Sequence, residues 1–130
     1  MENLTKSEAI ELHRRMWLWI ADETLIRKRK VTEQDYFKEM GIYNKDIPPW
    51  RSCYCCEYNI QQKIKIKKYD WDKYGCIYCP LNWNSKCDRR MCRNKNKLDD
   101  YKGLMGKWAD TTNYKKAAKL AKKIANLPEK

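Results

Sequence analysis

Residues 5–24 read TKSEAIELHRRMWLWIADET, and this stretch predicts a long amphipathic helix. Thr5 and Glu8 have the spacing of a capping box, in which both side chains bond to backbone amides at a helix start. Core-type side chains then recur at steps of three and four residues, the period of one helix face: Ala9, Leu12, His13, Met16, Trp17, Ile20 and Thr24. Trp19 and Leu25 widen this arc, so we expect the helix to pack on more than one side. We interpret His13 as a packed, hydrogen-bonded side chain, with a ligand role as the alternative.

Shorter helices are predicted on both sides of the centre of the chain. Thr32 is expected to cap a second helix that ends at Gly41, because glycine readily adopts the positive φ found after a helix. Near the end of the chain we expect one helix carrying Trp108 and a last helix capped by Thr112. We place Trp17, Trp108 and Ile124 in one shared core. The outer face of the last helix carries Lys115, Lys116, Lys119, Lys122 and Lys123. We favour a solvated face for these lysines, with an anion-binding strip as the alternative.

All seven cysteines lie between residues 53 and 92, so their clustering needs a local cause. Two C-x2-C pairs have the spacing of a four-thiolate zinc site. The favoured ligands are Cys53, Cys56, Cys76 and Cys79, and the alternates are Cys87 and Cys92. A site closed by four sulfurs has no open position for substrate, so we interpret the zinc ion as a structural cofactor. Buried or redox thiols and an iron–sulfur cluster are the alternatives, and disulfides are disfavoured.

Isoleucine alternates with lysine over residues 63–67, between the two cysteine pairs, and this pattern predicts a strand with one basic face. The predicted anion-binding residues are Lys63, Lys65, Lys67, Arg89, Arg90 and Arg93, and the predicted stacking residues are Tyr69, Trp71, Tyr78 and Trp83. Basic and aromatic side chains interleave in this way on nucleic-acid-binding surfaces, where rings stack on bases and cations meet phosphates. The alternative is that the rings pack around the zinc ion.

The composition limits the functional class. The 130 residues include 29 Lys and Arg against 17 Asp and Glu, a formal net charge of +12 that attracts anionic partners. A solvated surface encoded by an AT-rich genome is the alternative explanation. His13 is the only histidine and the four glycines form no phosphate-binding loop, so histidine triads, P-loops and Rossmann sites are excluded. No stretch approaches the roughly 18 apolar residues of a membrane span and no export signal is recognised, so we expect a cytoplasmic protein without membrane contact.

Four strings in the chain resemble a group of small, uncharacterised cysteine-rich proteins of bacteriophages and prophages. These strings are ELHRRMWLWIADET, CYCCEYN, CIYCPLNW and AAKLAKKIANLP. The resemblance covers much of the chain and implies a phage setting, and therefore the cytoplasm of an infected bacterium. It supplies no established activity. By analogy, small phage proteins without catalytic motifs often bind host or nucleic-acid targets, including defence systems.

These observations predict a mainly α, zinc-stapled single domain over residues 1–130, with a small zinc-bound β element at its centre. We expect helices over residues 1–42 and 98–130 and a cysteine-rich zinc module over residues 43–97. The predicted function is non-enzymatic binding of an anionic partner, with nucleic acid as the leading candidate. The alternative is a phage anti-defence protein, anti-CRISPR-like or signal-sequestering, that binds a host immune protein or a nucleotide second messenger. A cysteine-dependent enzyme has less support, because no histidine lies near the cysteines in sequence.

Overall fold

A computed structural model of the chain describes residues 3–41, 54–66, 79–82 and 103–129. These residues form α1 (Lys6–Arg27), α2 (Glu33–Glu39), α3 (Tyr54–Ile66), α4 (Gly103–Asp110) and α5 (Tyr114–Ala125). The mainly α prediction is therefore confirmed for this part of the chain. Helix α1 is the central element, because α2, α3 and α5 all pack against it, and α4 packs against α5. The predicted segment boundaries at 42/43 and 97/98 lie outside the described residues.

Helix α1 begins as its sequence predicts. The Glu8 amide donates to Thr5 Oγ1 and the Thr5 amide donates to Glu8 Oε1, each over 3.1 Å. Its buried side chains are Ala9, Ile10, His13, Met16, Trp17, Ile20, Ala21 and Thr24. The Trp19 ring lies 5.4 Å from the ring of Tyr36 in α2, so α1 does pack on a second side. Leu25 does not take part in this packing, because its side chain is 51% exposed.

Helix α2 has the predicted boundaries. The Asp35 amide donates to Thr32 Oγ1 and the Thr32 amide donates to Asp35 Oδ2, so Thr32 is the N-cap of a second capping box. The helix ends at Glu39, and Gly41 follows with a φ of +67°, a left-handed conformation that glycine adopts without steric cost. This turn ends the described N-terminal segment.

The strand predicted from the alternation over residues 63–67 is wrong for residues 63–66, which form the end of α3. Residue 67 lies outside the described residues. A strand needs a pairing partner, and the part of the chain described here contains no strand longer than an isolated bridge. The Gln61 amide nitrogen donates to Glu57 Oε1 over 3.3 Å, which is the one-turn spacing of a helix. The alternation of isoleucine and lysine is therefore too short to override the packing of α3 against α1.

The core of the described residues lies between α1, α4 and α5. The Trp17 and Trp108 rings meet edge to face with centroids 4.9 Å apart, and Ile124 is completely buried in the same cluster. The prediction of this shared core is confirmed. Asn113, rather than Thr112, caps α5, because its side-chain oxygen accepts from the Lys116 amide over 3.1 Å.

The segment after α5 is held to both the first helix and the centre of the chain. Arg14 donates to the Leu127 carbonyl over 3.2 Å, and the Asn82 amide donates to the Pro128 carbonyl over 2.8 Å. Leu81 and Glu129 form an antiparallel bridge next to this bond, and Leu81 is fully buried. Residues 79–82 therefore join the helical core through the end of the chain.

Candidate nucleic-acid interface

Most of the residues predicted to bind a ligand lie outside the part of the chain that the structure describes. They are Cys53, Cys76, Cys87, Cys92, Lys67, Arg89, Arg90, Arg93, Tyr69, Trp71, Tyr78 and Trp83. Lys63 and Lys65 both belong to α3, and the Lys65 side chain is exposed. The two lysines are two residues apart on a helix, so they do not share the single strand face that the alternation predicts.

The described cysteines occupy different environments. Cys55 is completely buried and its thiol donates to the Ala9 carbonyl, with 3.8 Å between sulfur and oxygen. Cys79 is buried beside Leu81, whereas Cys56 in the first turn of α3 is only partly buried. Within residues 3–41, 54–66, 79–82 and 103–129, no group of three or more potential ligands is placed to hold a metal ion. Two of the four favoured zinc ligands lie outside these ranges, so the zinc site stays a prediction.

The charges of residues 3–41 are nearly balanced, and about half of them take part in ion pairs. Residues 3–41 contain eight basic and seven acidic side chains. Three of the arginines form ion pairs: Arg15 with Glu11 at 2.8 Å, Arg27 with Glu23 at 3.1 Å and Arg29 with Asp35 at 3.4 Å. This part of the surface therefore contributes little to the excess positive charge of the protein.

Lys30 has a structural role, because its side chain contacts other residues of the protein. Its Nζ donates to the Ala109 carbonyl over 2.9 Å and lies 4.3 Å from the centroid of the Trp108 ring. Burial lowers the pKa of Lys30, and the nearby Asp110 carboxylate acts in the opposite direction. The ammonium group also lies at the carboxyl end of α4, where the helix dipole favours a cation. No local sequence pattern predicts this contact, because its partners lie almost eighty residues away.

The lysines of α5 form the largest group of like charges among the described residues. Lys115, Lys116, Lys119, Lys122 and Lys123 are all exposed. At about 100° per residue they fall within an arc of about 120°, and they span about 12 Å along the helix axis. The opposite side of α5 is buried, with Ala117, Ala121 and Ile124 at 0% exposure. This lysine face, defined by the five lysines, is therefore fixed toward solvent by the packing of the rest of the helix.

The lysine face has no compensating negative charge nearby in sequence. No acidic residue occurs between Asp110 and Glu129. Among the ion pairs of the described residues, none includes a lysine of this face. Its five ammonium groups differ in this respect from Arg15 and Arg27 of α1, which form ion pairs.

Comparisons of the chain with protein-family models, curated protein sequences and solved structures found no match. The resemblance to phage proteins therefore stays an expectation. None of the helices in the described ranges is both long and apolar enough to cross a membrane. The distribution of charge over the fold is thus the main guide to function.

Proposed function

We propose that this protein is a non-enzymatic binding protein for nucleic acid, stapled at its centre by a structural zinc ion. The phosphate backbone is the anionic ligand that a basic surface binds without further specialised chemistry. The absence from the sequence of histidine triads and phosphate-binding loops supports binding rather than catalysis.

The observation that carries this proposal is the uneven distribution of positive charge. The segment 3–41 is nearly neutral and holds several internal ion pairs, whereas the basic excess lies elsewhere in the chain. Residues 86–97 contain six basic side chains and one acidic side chain, and α5 contains five lysines and no acid. A positive charge that only kept the protein soluble could be spread evenly over the chain. An anion-binding surface needs basic side chains that are concentrated in one place.

The proposed zinc site uses the thiolates of Cys53, Cys56, Cys76 and Cys79, with Cys87 and Cys92 as alternates. The partly buried position of Cys56, at the amino end of α3, suits this role, because a helix amino terminus favours a thiolate. Cys55 suits it less, because its side chain is completely buried and its thiol donates to the Ala9 carbonyl. A closed four-thiolate site would supply folding energy and take no part in a reaction.

The proposal is tested by measuring nucleic-acid affinity as a function of salt concentration. The test variant neutralises four of the predicted anion-binding residues with Lys65→Gln, Lys67→Gln, Arg89→Gln and Arg90→Gln. The control variant removes the same charge from the segment 3–41 with Arg15→Gln, Lys28→Gln, Arg29→Gln and Lys38→Gln. We expect at least a tenfold loss of affinity at about 100 mM salt in the test variant and a much smaller loss in the control. Only side chains that contact phosphates release counterions from the nucleic acid, so only their removal should weaken binding strongly. Melting temperature and zinc content should remain unchanged in both.

Failure to bind any nucleic acid at about 50 mM salt, where electrostatic contacts are strong, would contradict the proposal. Equal losses in the two variants would also contradict it, because they would show a response to total charge alone. A negative result would give priority to the alternative of an anti-defence protein, with a host protein or a nucleotide as the ligand.

A further inference from the structure

We propose that the lysine face of α5 binds the phosphate backbone of double-stranded nucleic acid without reading its sequence. This inference rests on the proposed function and assigns nucleic-acid binding to residues that differ from the predicted anion-binding residues Lys63, Lys65, Lys67, Arg89, Arg90 and Arg93. It differs from the sequence-based interpretation, which favoured a solvated face for these lysines.

The geometry of the lysine face matches a short run of phosphates. The five ammonium groups span about 12 Å along the helix, and one strand of a duplex presents a phosphate about every 3.4 Å of its axis. Three to four phosphates can therefore lie opposite the face at once. The packing of Ala117, Ala121 and Ile124 on α1 fixes the direction of the face before any ligand binds.

The charge pattern of α5 is unfavourable for an isolated helix. Two like-charged pairs lie one turn apart, Lys115 with Lys119 and Lys119 with Lys123. Each such pair destabilises a helix through charge repulsion. Lys115 and Lys116 also lie in the first turn, where the helix dipole disfavours a cation and no acidic residue is present. A bound polyanion would relieve both effects.

The same face is poorly suited to a membrane or to a single strand. A membrane-surface helix inserts its apolar side into lipid, but the apolar side of α5 is already buried in the core. Single-strand binding relies on bases stacking on aromatic rings, and the lysine arc contains no aromatic residue. Lysines alone contact phosphates without distinguishing bases, so the favoured ligand is the duplex, which has the higher charge density.

The experiment compares two variants of the full-length protein that lose the same charge. The test variant carries Lys116→Gln, Lys119→Gln and Lys123→Gln, which remove one stripe of the lysine face. The control variant carries Arg15→Gln, Lys28→Gln and Lys38→Gln, at exposed residues of the segment 3–41. Each protein is titrated with two 20-base-pair DNA duplexes of unrelated sequence, the matching RNA duplex and the matching single strands, at several salt concentrations. Glutamine keeps the helix propensity close to that of lysine, so the melting temperature verifies folding.

We expect the wild-type protein to bind both DNA duplexes with affinities within about threefold of each other and more tightly than the single strands. In the test variant, the slope of log affinity against log salt should fall by about 2 to 3, since each phosphate contact contributes about 0.9. The corresponding loss of duplex affinity is on the order of 100-fold at 100 mM salt. The control variant should keep its slope to within about 1. Comparison of the DNA and RNA duplexes identifies the kind of duplex that is bound.

Retention of wild-type affinity and slope by the test variant would overturn the assignment of α5 but leave nucleic-acid binding intact. Equal losses in test and control variants, or tighter binding of single strands than of duplexes, would also overturn it. If the wild-type protein binds no nucleic acid, both this inference and the proposed function fail. Binding of anionic vesicles that the test variant loses, without any duplex binding, would instead assign the face to a membrane surface.

Discussion

His13 illustrates how a single residue can be interpreted from the helix face on which it lies. It is fully buried, and its Nε2 lies 2.9 Å from the Ile124 carbonyl. A carbonyl only accepts, so Nε2 carries the hydrogen of this bond. The sequence-based interpretation of His13 as a packed, hydrogen-bonded residue is therefore confirmed, whereas its partner, 111 residues away, could not be identified from the sequence.

Trp17 is the residue whose loss should cost the fold most. Its side chain is fully buried against the Trp108 ring, so Trp17→Ala removes both a large apolar surface and an edge-to-face ring contact. We expect a destabilisation of about 3 to 5 kcal/mol, measured by denaturant unfolding. The neighbouring Leu18→Ala, at a side chain that is 40% exposed, is the control and should cost less than about 1 kcal/mol. Similar losses in both variants would contradict this core assignment.

At the scale of helices, elements with strong local signals could be predicted and those without could not. The capping boxes at Thr5 and Thr32 fix where α1 and α2 begin, because cap and third residue bond each other within one turn. Helix α3 has no such signal, and the alternation within residues 63–67 predicted a strand instead. Helix packing outweighed that short pattern, since α3 packs against α1. Exposed Ile64 confirms that its isoleucines do not form one buried sheet face.

The start of α5 offers a paired test of one helix cap. Asn113→Ala removes the side-chain oxygen that accepts from the Lys116 amide, so we expect a loss of about 1 kcal/mol in the free energy of unfolding. Thr112→Ala, at the exposed residue that the sequence suggested as the cap, should change it by less than about 0.5 kcal/mol. A larger effect at Thr112 than at Asn113 would show that the sequence-based assignment of the cap was right.

At the scale of the whole molecule, the helices of the core could be predicted from the sequence, but the contacts between distant residues could not. Periodic apolar faces identify α1 and α5, because burial against another helix follows the 3.6-residue period. They do not identify the contacts of Lys30 and Arg14 with distant carbonyls, since such bonds depend on how helices pack rather than on local sequence. For the candidate site, the sequence identified the lysines of α5 as exposed, but it carried no information on their lack of partners within the described residues.

The zinc proposal predicts one zinc ion per chain in the purified protein. Cys53→Ser should lose the metal and become insoluble or protease-sensitive, because zinc binding and folding form one equilibrium in such modules. Cys55→Ser is the matched comparison, and it should keep the metal, because its thiol faces the Ala9 carbonyl. Metal analysis of both variants is the measurement. Less than about half an equivalent of zinc in freshly prepared wild-type protein, with iron also absent, would contradict the proposal.

The packing of α1 on α5 also determines when the protein can fold during its synthesis. His13 and Ile124 lie 111 residues apart in the chain, and ribosomes add about 5 to 20 residues per second. The buried face of α1 therefore waits about 6 to 22 s for its partner helix to be made. A nascent chain that stops before α5 leaves Trp17 and Ile20 without that cover, so interrupted synthesis yields a substrate for chaperones and proteases rather than a partly working protein.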